Sequence, residues 1–222
     1  MNIICIVVCL LSVYLHFFSN IDMQIQQILF SEGSWLISPE DAFFNFFFYL
    51  LPKIIVVCCA LACLFFLLFT KFKNRELKVT TRVGLIVVVL CICLYPVFIN
   101  FLKEIIRQPC PRDLKYFGGQ YGGSLLSYFL QRGEIRCFPG AHASAPFSLI
   151  SFKYLFTDDY NRALFLIVIL PIATLISLYQ VFRGVHFVSD TVFTAFGAWV
   201  FADYAYKLVE KSYAVIYSSP RE

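Results

Sequence analysis

Residues 84–102 read Gly-Leu-Ile-Val-Val-Val-Leu-Cys-Ile-Cys-Leu-Tyr-Pro-Val-Phe-Ile-Asn-Phe-Leu, with no Asp, Glu, Lys, Arg or His among them. As a helix this stretch rises about 28 Å, close to the ~30 Å hydrocarbon thickness of a bilayer. Comparable apolar runs cover residues 2–19, 44–70, 163–182 and 187–207. A weaker one, 143–157, is diluted by Lys153 and several serines and must face protein for part of its length. The implied fold class is an all-α integral membrane protein with six transmembrane helices, a single polytopic domain over residues 1–222.

The composition agrees. Hydrophobic residues make up 60% of the chain and charged ones 14%, against about a quarter charged in a soluble domain. Ile3 to Phe18 has the length of a signal peptide, but no basic segment precedes it and no small-residue cleavage site follows, so it reads as a retained first span. The net charge of +4 is concentrated in one loop and gives no reason to expect a nucleic-acid partner.

Orientation follows from the loops. Residues 20–43 carry Asp22, Glu32, Glu40 and Asp41 and neither Lys nor Arg, whereas residues 71–83 carry Lys71, Lys73, Arg75, Lys78 and Arg82. The positive-inside rule puts the second loop and both termini in the cytoplasm. Residues 103–142 and 183–190 then share the outer face. The first of these is itself basic, with Lys103, Arg107, Arg112, Lys115, Arg132 and Arg136, against the rule. Anion binding would account for those charges.

Seven of the nine cysteines (Cys5, Cys9, Cys58, Cys59, Cys63, Cys91 and Cys93) lie in predicted spans and read as small apolar residues. Cys110 and Cys137 bracket the outer loop. They are either free thiols or, on an oxidising face, a disulfide whose loop closure is worth roughly 3–4 kcal/mol.

Three polar stretches fall on that outer face. In Arg183-Gly184-Val185-His186-Phe187-Val188-Ser189-Asp190, the carboxylate stands four residues after the histidine, one helical turn away. It can hold one imidazole nitrogen protonated and leave the other for chemistry. Lys103 and Arg107 are also four apart, just before the helix-ending Pro109 and Pro111. Like charges so spaced repel, unless an anion lies between them. In Cys137-Phe138-Pro139-Gly140-Ala141-His142-Ala143-Ser144, small residues precede a helix start, where backbone N–H groups can meet an anion, and His142 can protonate a leaving oxygen. Each stretch alone reads equally well as an interfacial helix end whose polar side chains reach for water. Together, two histidines, a carboxylate and several cations suit phosphoryl transfer without a metal or other cofactor. A metal site of two His and one Asp is opposed by the surrounding cations.

The three stretches resemble the motifs of the type 2 phosphatidic acid phosphatase superfamily: Lys-x6-Arg-Pro, Pro-Ser-Gly-His and Ser-Arg-x5-His-x3-Asp. Lys103 and Pro111 match the ends of the first; Pro139, His142, Ala143 and Ser144 match the second; Gly184 to Asp190 match the end of the third. Three positions depart from the pattern. Cys110 stands at the first-motif Arg, Gly140-Ala141 replaces Ser-Gly, and Gln180 occupies the third-motif Arg position, with Arg183 three residues later. The resemblance implies His186 as nucleophile, Asp190 as its orienting partner and His142 as general acid. It implies Lys103 and Arg183 on phosphate, assisted by Arg107 or Arg112 and by the backbone N–H groups of Gly140 and Ala141. His16 matches no motif and reads as structural; Lys53 and Asp203 match none either and read as interhelical partners or snorkelling groups.

The resemblance further implies a lipid phosphate substrate at the periplasmic face of a bacterial inner membrane. The compact plan is similar to the lipid A 4′-phosphatases of the superfamily. Undecaprenyl diphosphate and phosphatidylglycerol phosphate are the competing substrates. The Gly- and aromatic-rich residues 117–130 suit a mobile cover over a large headgroup. A non-catalytic lipid-phosphate binder would share these residues. A thiol-redox enzyme would want a Cys-x-x-Cys, which the chain lacks.

Overall fold

The computed structural model describes residues 2–38, 41–73, 75–127 and 135–218. Glu40, Arg132 and part of the predicted cover, residues 128–130, lie outside them.

The described chain is dominated by helices: α1 (Asn2–Phe18), α2 (Ile21–Leu29), α3 (Ala42–Asn45), α4 (Leu51–Phe72), α5 (Val79–Ile106), α6 (Ala141–Ser148), α7 (Asp159–Phe182) and α8 (Val188–Ser218). A π-helical turn, Phe46–Leu50, joins α3 to α4, and a 3-10 helix, Leu149–Leu155, continues α6. Two short antiparallel strands, β1 (Phe30–Ser31) and β2 (Ser34–Trp35), pair Phe30 with Trp35.

Three segments are long and apolar enough to cross a bilayer: Ala42–Phe72, Val79–Asp113 and Asp159–Phe182. α1 and α2, bent by 74°, make a fourth if the pair is one span. Leu61, Phe65, Leu68 and Phe72 of α4 form an exposed stripe at helical spacing, apolar surface that fits lipid rather than water. The chain is a multi-pass membrane protein. Of the six predicted spans, 143–157 and 187–207 fall short of that standard. α6 is eight residues long before the winding tightens to 3-10, and the two segments together carry three serines and Lys153 into the bundle interior. α8 is 31 residues long, but Ser189, Asp190, Thr191, Thr194 and Asp203 dilute it.

α5, α6 and α8 supply the bundle's centre. Tyr95, Ile99, Ala143, Phe147, Ile150, Ala173 and Ala198 form one buried cluster, and Val83, Val87, Cys91, Ala202 and Val209 continue it along α5 and α8. Only a hydrogen separates Gly197 from the Tyr95 hydroxyl; a Cβ there would stand 2.8 Å from it. α1 packs along α8.

At one end of the bundle a small lobe closes over the helix ends. Leu114, Phe117, Leu125 and Phe187 form its core, with Met23, Phe30, Trp35 and Tyr121 around them. The segment expected as a mobile cover is internally bonded in its described part: Lys115 N donates to Tyr121 O at 2.7 Å and Tyr121 N to Asp113 O at 2.9 Å. Phe117, packed against Phe30 and Trp35, anchors the start of the glycine-rich stretch that follows it.

Candidate active site

The site is built where α7 turns into α8. Gly184 makes that turn in the left-handed region, φ +69°, and a Cβ on it would lie 2.3 Å from the Trp35 ring. Only glycine fits on both counts. Its carbonyl accepts from Arg112 N at 3.0 Å, which ties the first polar stretch to the third. Val185 N and His186 N both donate to Gln180 O, so Gln180, at the expected arginine position, serves through its carbonyl.

His186 and Asp190 are 1% and 0% exposed. Asp190 Oδ2 accepts from Phe187 N at 3.0 Å and stands 3.2 Å from His186 Nδ1. The carboxylate thus caps its own helix and holds the proton on Nδ1. That leaves a lone pair on His186 Nε2. His142, in the first turn of α6, presents Nδ1 to it at 2.9 Å. With this assignment His142 Nδ1–H donates and His186 Nε2 accepts. Gly140 lets α6 approach: a Cβ there would stand 3.2 Å from Asp190 O. Ala141 follows as the first residue of the helix.

Burial pushes the His142 imidazole down to about 2, and His186, Lys103, Lys53 and Arg183 add to the effect. His186 is held well below the ordinary histidine range, first by burial and then by Lys103 and Arg112. Both imidazoles are neutral at pH 7, with four cations facing them. Arg183 Nη1 donates to Tyr179 Oη at 3.0 Å and Asn45 Oδ1 at 3.3 Å, while its buried Nε has no hydrogen-bond partner among the described residues. Of the two alternative arginines, Arg112 is the one whose charge acts on His186. Arg107 caps α5 in the left-handed conformation, and its Nε donates back to Glu104 O at 3.0 Å. The turn that ends the helix carries its side chain away.

Cys110 and Cys137 are joined by a disulfide with Cα atoms 5.0 Å apart. Cys137 Sγ lies 3.5 Å from His186 Nδ1, so the bridge forms one wall of the site. Cys137, His186 and Asp190 place potential metal-ligand atoms within 4.8 Å of one another, but the disulfide engages the sulfur. The other seven cysteines are unpaired.

Several participants carry no sequence signal. Tyr49 packs on His142 at 5.2 Å between ring centroids, and Lys53 Nζ sits 3.7 Å from the centre of the Tyr49 ring. Asn45, Tyr49 and Lys53 reach the site from either side of or within the π turn, a distortion common at functional sites. His16 and Asp22 reach it from behind: both are buried, and His16 Nδ1 lies 3.4 Å from Asp190 Oδ1. An apolar groove of about 470 Å³ opens below His142, lined by Phe48, Leu51, Ile55, Pro146, Ile172 and Ile176 among others.

The PAP2 superfamily model matches residues 84–214, which hold all three polar stretches. Neither a curated protein nor a solved structure matches the chain at a significant level.

Proposed function

The chain belongs to the PAP2 superfamily, whose members are phosphatases of lipid-type phosphoesters, and on that premise we propose that it hydrolyses a lipid phosphomonoester through a phospho-histidine, with lipid A 4′-phosphate as the first substrate. One observation carries this reading: the 2.9 Å approach of His142 Nδ1 to a His186 Nε2 whose ring is fixed by Asp190.

In this scheme the lone pair of His186 Nε2 attacks phosphorus. The incoming phosphate takes the place of the His–His hydrogen bond and frees His142. The bond between phosphorus and the lipid oxygen breaks, and a proton carried on His142 goes to that oxygen. A neutral His142 acquires that proton as the substrate's negative charge enters, because the phosphate offsets the cations that oppose protonation. Asp190 stabilises the positive charge that develops on His186. Lys103, Arg112 and Arg183 hold the phosphate oxygens, and the N–H groups of Gly140 and Ala141 add backbone donors. Water, activated by His142 acting as base, then attacks the phospho-histidine and releases phosphate.

All six apolar segments cross the membrane in this reading. The site faces the periplasm of a bacterial inner membrane and both termini face the cytoplasm. The charge contrast between residues 20–43 and 71–83 supports that orientation, and so does a disulfide at the site, which belongs in an oxidising compartment. The groove below His142 has the apolar lining an acyl chain needs. The chain's compact plan favours lipid A over undecaprenyl diphosphate and phosphatidylglycerol phosphate.

Phosphate release by the purified protein in detergent tests the proposal across lipid A, undecaprenyl diphosphate, phosphatidylglycerol phosphate and phosphatidic acid, beside His186→Ala. The expected result is release from lipid A, lowered about 10⁴-fold or more in the variant. The mass of the lipid product identifies the phosphate removed. Binding without release from any of the four would replace the enzyme with a lipid-phosphate binder.

A further inference from the structure

Asp190 has two carboxylate oxygens, and the catalytic scheme uses one. Oδ2 receives Phe187 N and faces His186. Oδ1 has no well-aligned hydrogen bond among the described residues, and the nearest group of opposite polarity is His16 Nδ1 at 3.4 Å. His16 is 1% exposed in a cage of Phe17, Phe138 and Phe187, with centroid distances of 4.9, 4.4 and 5.3 Å.

The imidazole is itself held. Its Nδ1 lies 3.2 Å from Asp22 Oδ2 and 3.0 Å from Ser189 Oγ. Asp22, 3% exposed, accepts Ser189 N at 3.1 Å on Oδ1 and the Ser189 hydroxyl on Oδ2. A carboxylate so placed fixes the proton on His16 Nδ1, which points to Ser189 Oγ and Asp22 Oδ2 with Asp190 Oδ1 alongside at 3.4 Å. The result is a chain of five buried or half-buried groups, Asp22, His16, Asp190, His186 and His142, alternating acid and imidazole until the last two. Gln26 Nε2 adds a second tie between the same elements by donating to His186 O at 3.1 Å.

We propose that His16 and Asp22 are positioning residues for the reaction: they hold Asp190 Oδ1 so that Oδ2 stays on His186 Nδ1. Rotation of the Asp190 carboxylate would exchange its oxygens and loosen the His186 ring, and the electropositive N–H edge of His16, 3.4 Å from Oδ1, opposes that rotation. Both residues precede residue 84, so the device lies outside the matched family region. The inference rests on the proposed roles of His186 and Asp190.

Two substitutions separate positioning from packing. His16→Phe fills the aromatic cage but has no donor, whereas His16→Asn places an amide N–H near where Nδ1 stood but leaves the cage partly empty. With lipid A in detergent micelles, positioning predicts that kcat falls roughly 10- to 100-fold in His16→Phe with KM nearly unchanged, the range lost when a group that orients a functional imidazole is removed. His16→Asn should restore most of the loss. The reverse ranking, with Phe active and Asn impaired, would overturn the proposal. If either variant fails to fold, Asp22→Asn takes its place: the same kcat-only loss supports positioning, and unchanged kcat overturns it. An arm independent of turnover uses imidazole-¹⁵N-labelled protein. The His186 Nδ1-bound proton should give a hydrogen-bonded resonance that is lost or shifted in His16→Phe; an unchanged resonance would sink the inference even if no phosphate is released. Activity that persists in His186→Ala would instead count against the phospho-histidine reading.

Discussion

α8 carries two carboxylates of opposite character, Asp190 buried and Asp203 half-buried. Asp190 opens the helix and Asp203 lies thirteen residues further on, about 20 Å along the axis. At Asp203 the charges close on themselves. Lys153 Nζ pairs with it at 2.6 Å, the Tyr154 hydroxyl donates to it, and the ammonium rests 3.9 Å from the centre of the Trp199 ring. One acid meets one base. At Asp190 the balance is left open: Lys53, Lys103, Arg112 and Arg183 face two neutral imidazoles, while Arg183 Nε and Asp190 Oδ1 lack aligned partners. A neutralised pair holds helices together, whereas an excess of one sign on preorganised side chains is a receptor for the other sign.

That contrast can be broken at either cluster. The largest effect on stability is expected at the closed one. Asp203→Leu strands a buried ammonium and should cost about 3–5 kcal/mol of unfolding free energy, whereas Lys153→Met with Asp203→Leu should recover most of it. Denaturation of the variants in detergent measures both, and phosphate release by the double variant should stay near wild type. If the double variant loses turnover instead, Asp203 belongs to the chemistry.

At the open cluster Arg183→Ala should lower phosphate release about 100-fold, roughly 2.7 kcal/mol of transition-state stabilisation. Arg112→Ala should cost clearly less, because its side chain is 45% exposed. Equal effects would dissolve the distinction between them.

A third effect, graded over the acid range, is on pH dependence. The folded protein resists protonation of His142 and His186, while the unfolded chain takes up those protons below about pH 6.5. Stability contributed by the neutral histidines is therefore complete above pH 6.5 and is lost on acidification from there towards the depressed folded values. The slope approaches about 1.4 kcal/mol per pH unit for each histidine. Flat unfolding curves between pH 7 and 5 would mean the pair is not held neutral.

The open cluster was the more legible of the two in the sequence. His186 and Asp190 meet because four residues on a helix make one turn, and His142 belongs to a motif with its own order and spacing. Arg112 rather than Arg107 acts on His186 because Arg107 takes a left-handed cap, a choice made by the helix end and not by composition. His16 and Asp22 had no local signature: their partners at the site, Asp190 and Ser189 of α8, are more than 160 residues away. Asp203 was seen as an interhelical partner, but nothing in the pattern named Lys153. The weak fourth span failed the length test because its winding tightens after Ser148, a change that depends on packing against α5 and α8 rather than on periodicity.

The Trp35 ring packs against Gly184, and Gln26 and Asp22 grip the backbone at His186 and Ser189. The region matched by the family model therefore is not a portable cassette. Cut free before residue 84, it would keep every motif residue and lose the plug over the α7–α8 turn, the donor on the His186 carbonyl and the acceptor for Ser189 N. Homologous segments can be exchanged between such chains only if their N-terminal helices travel with them.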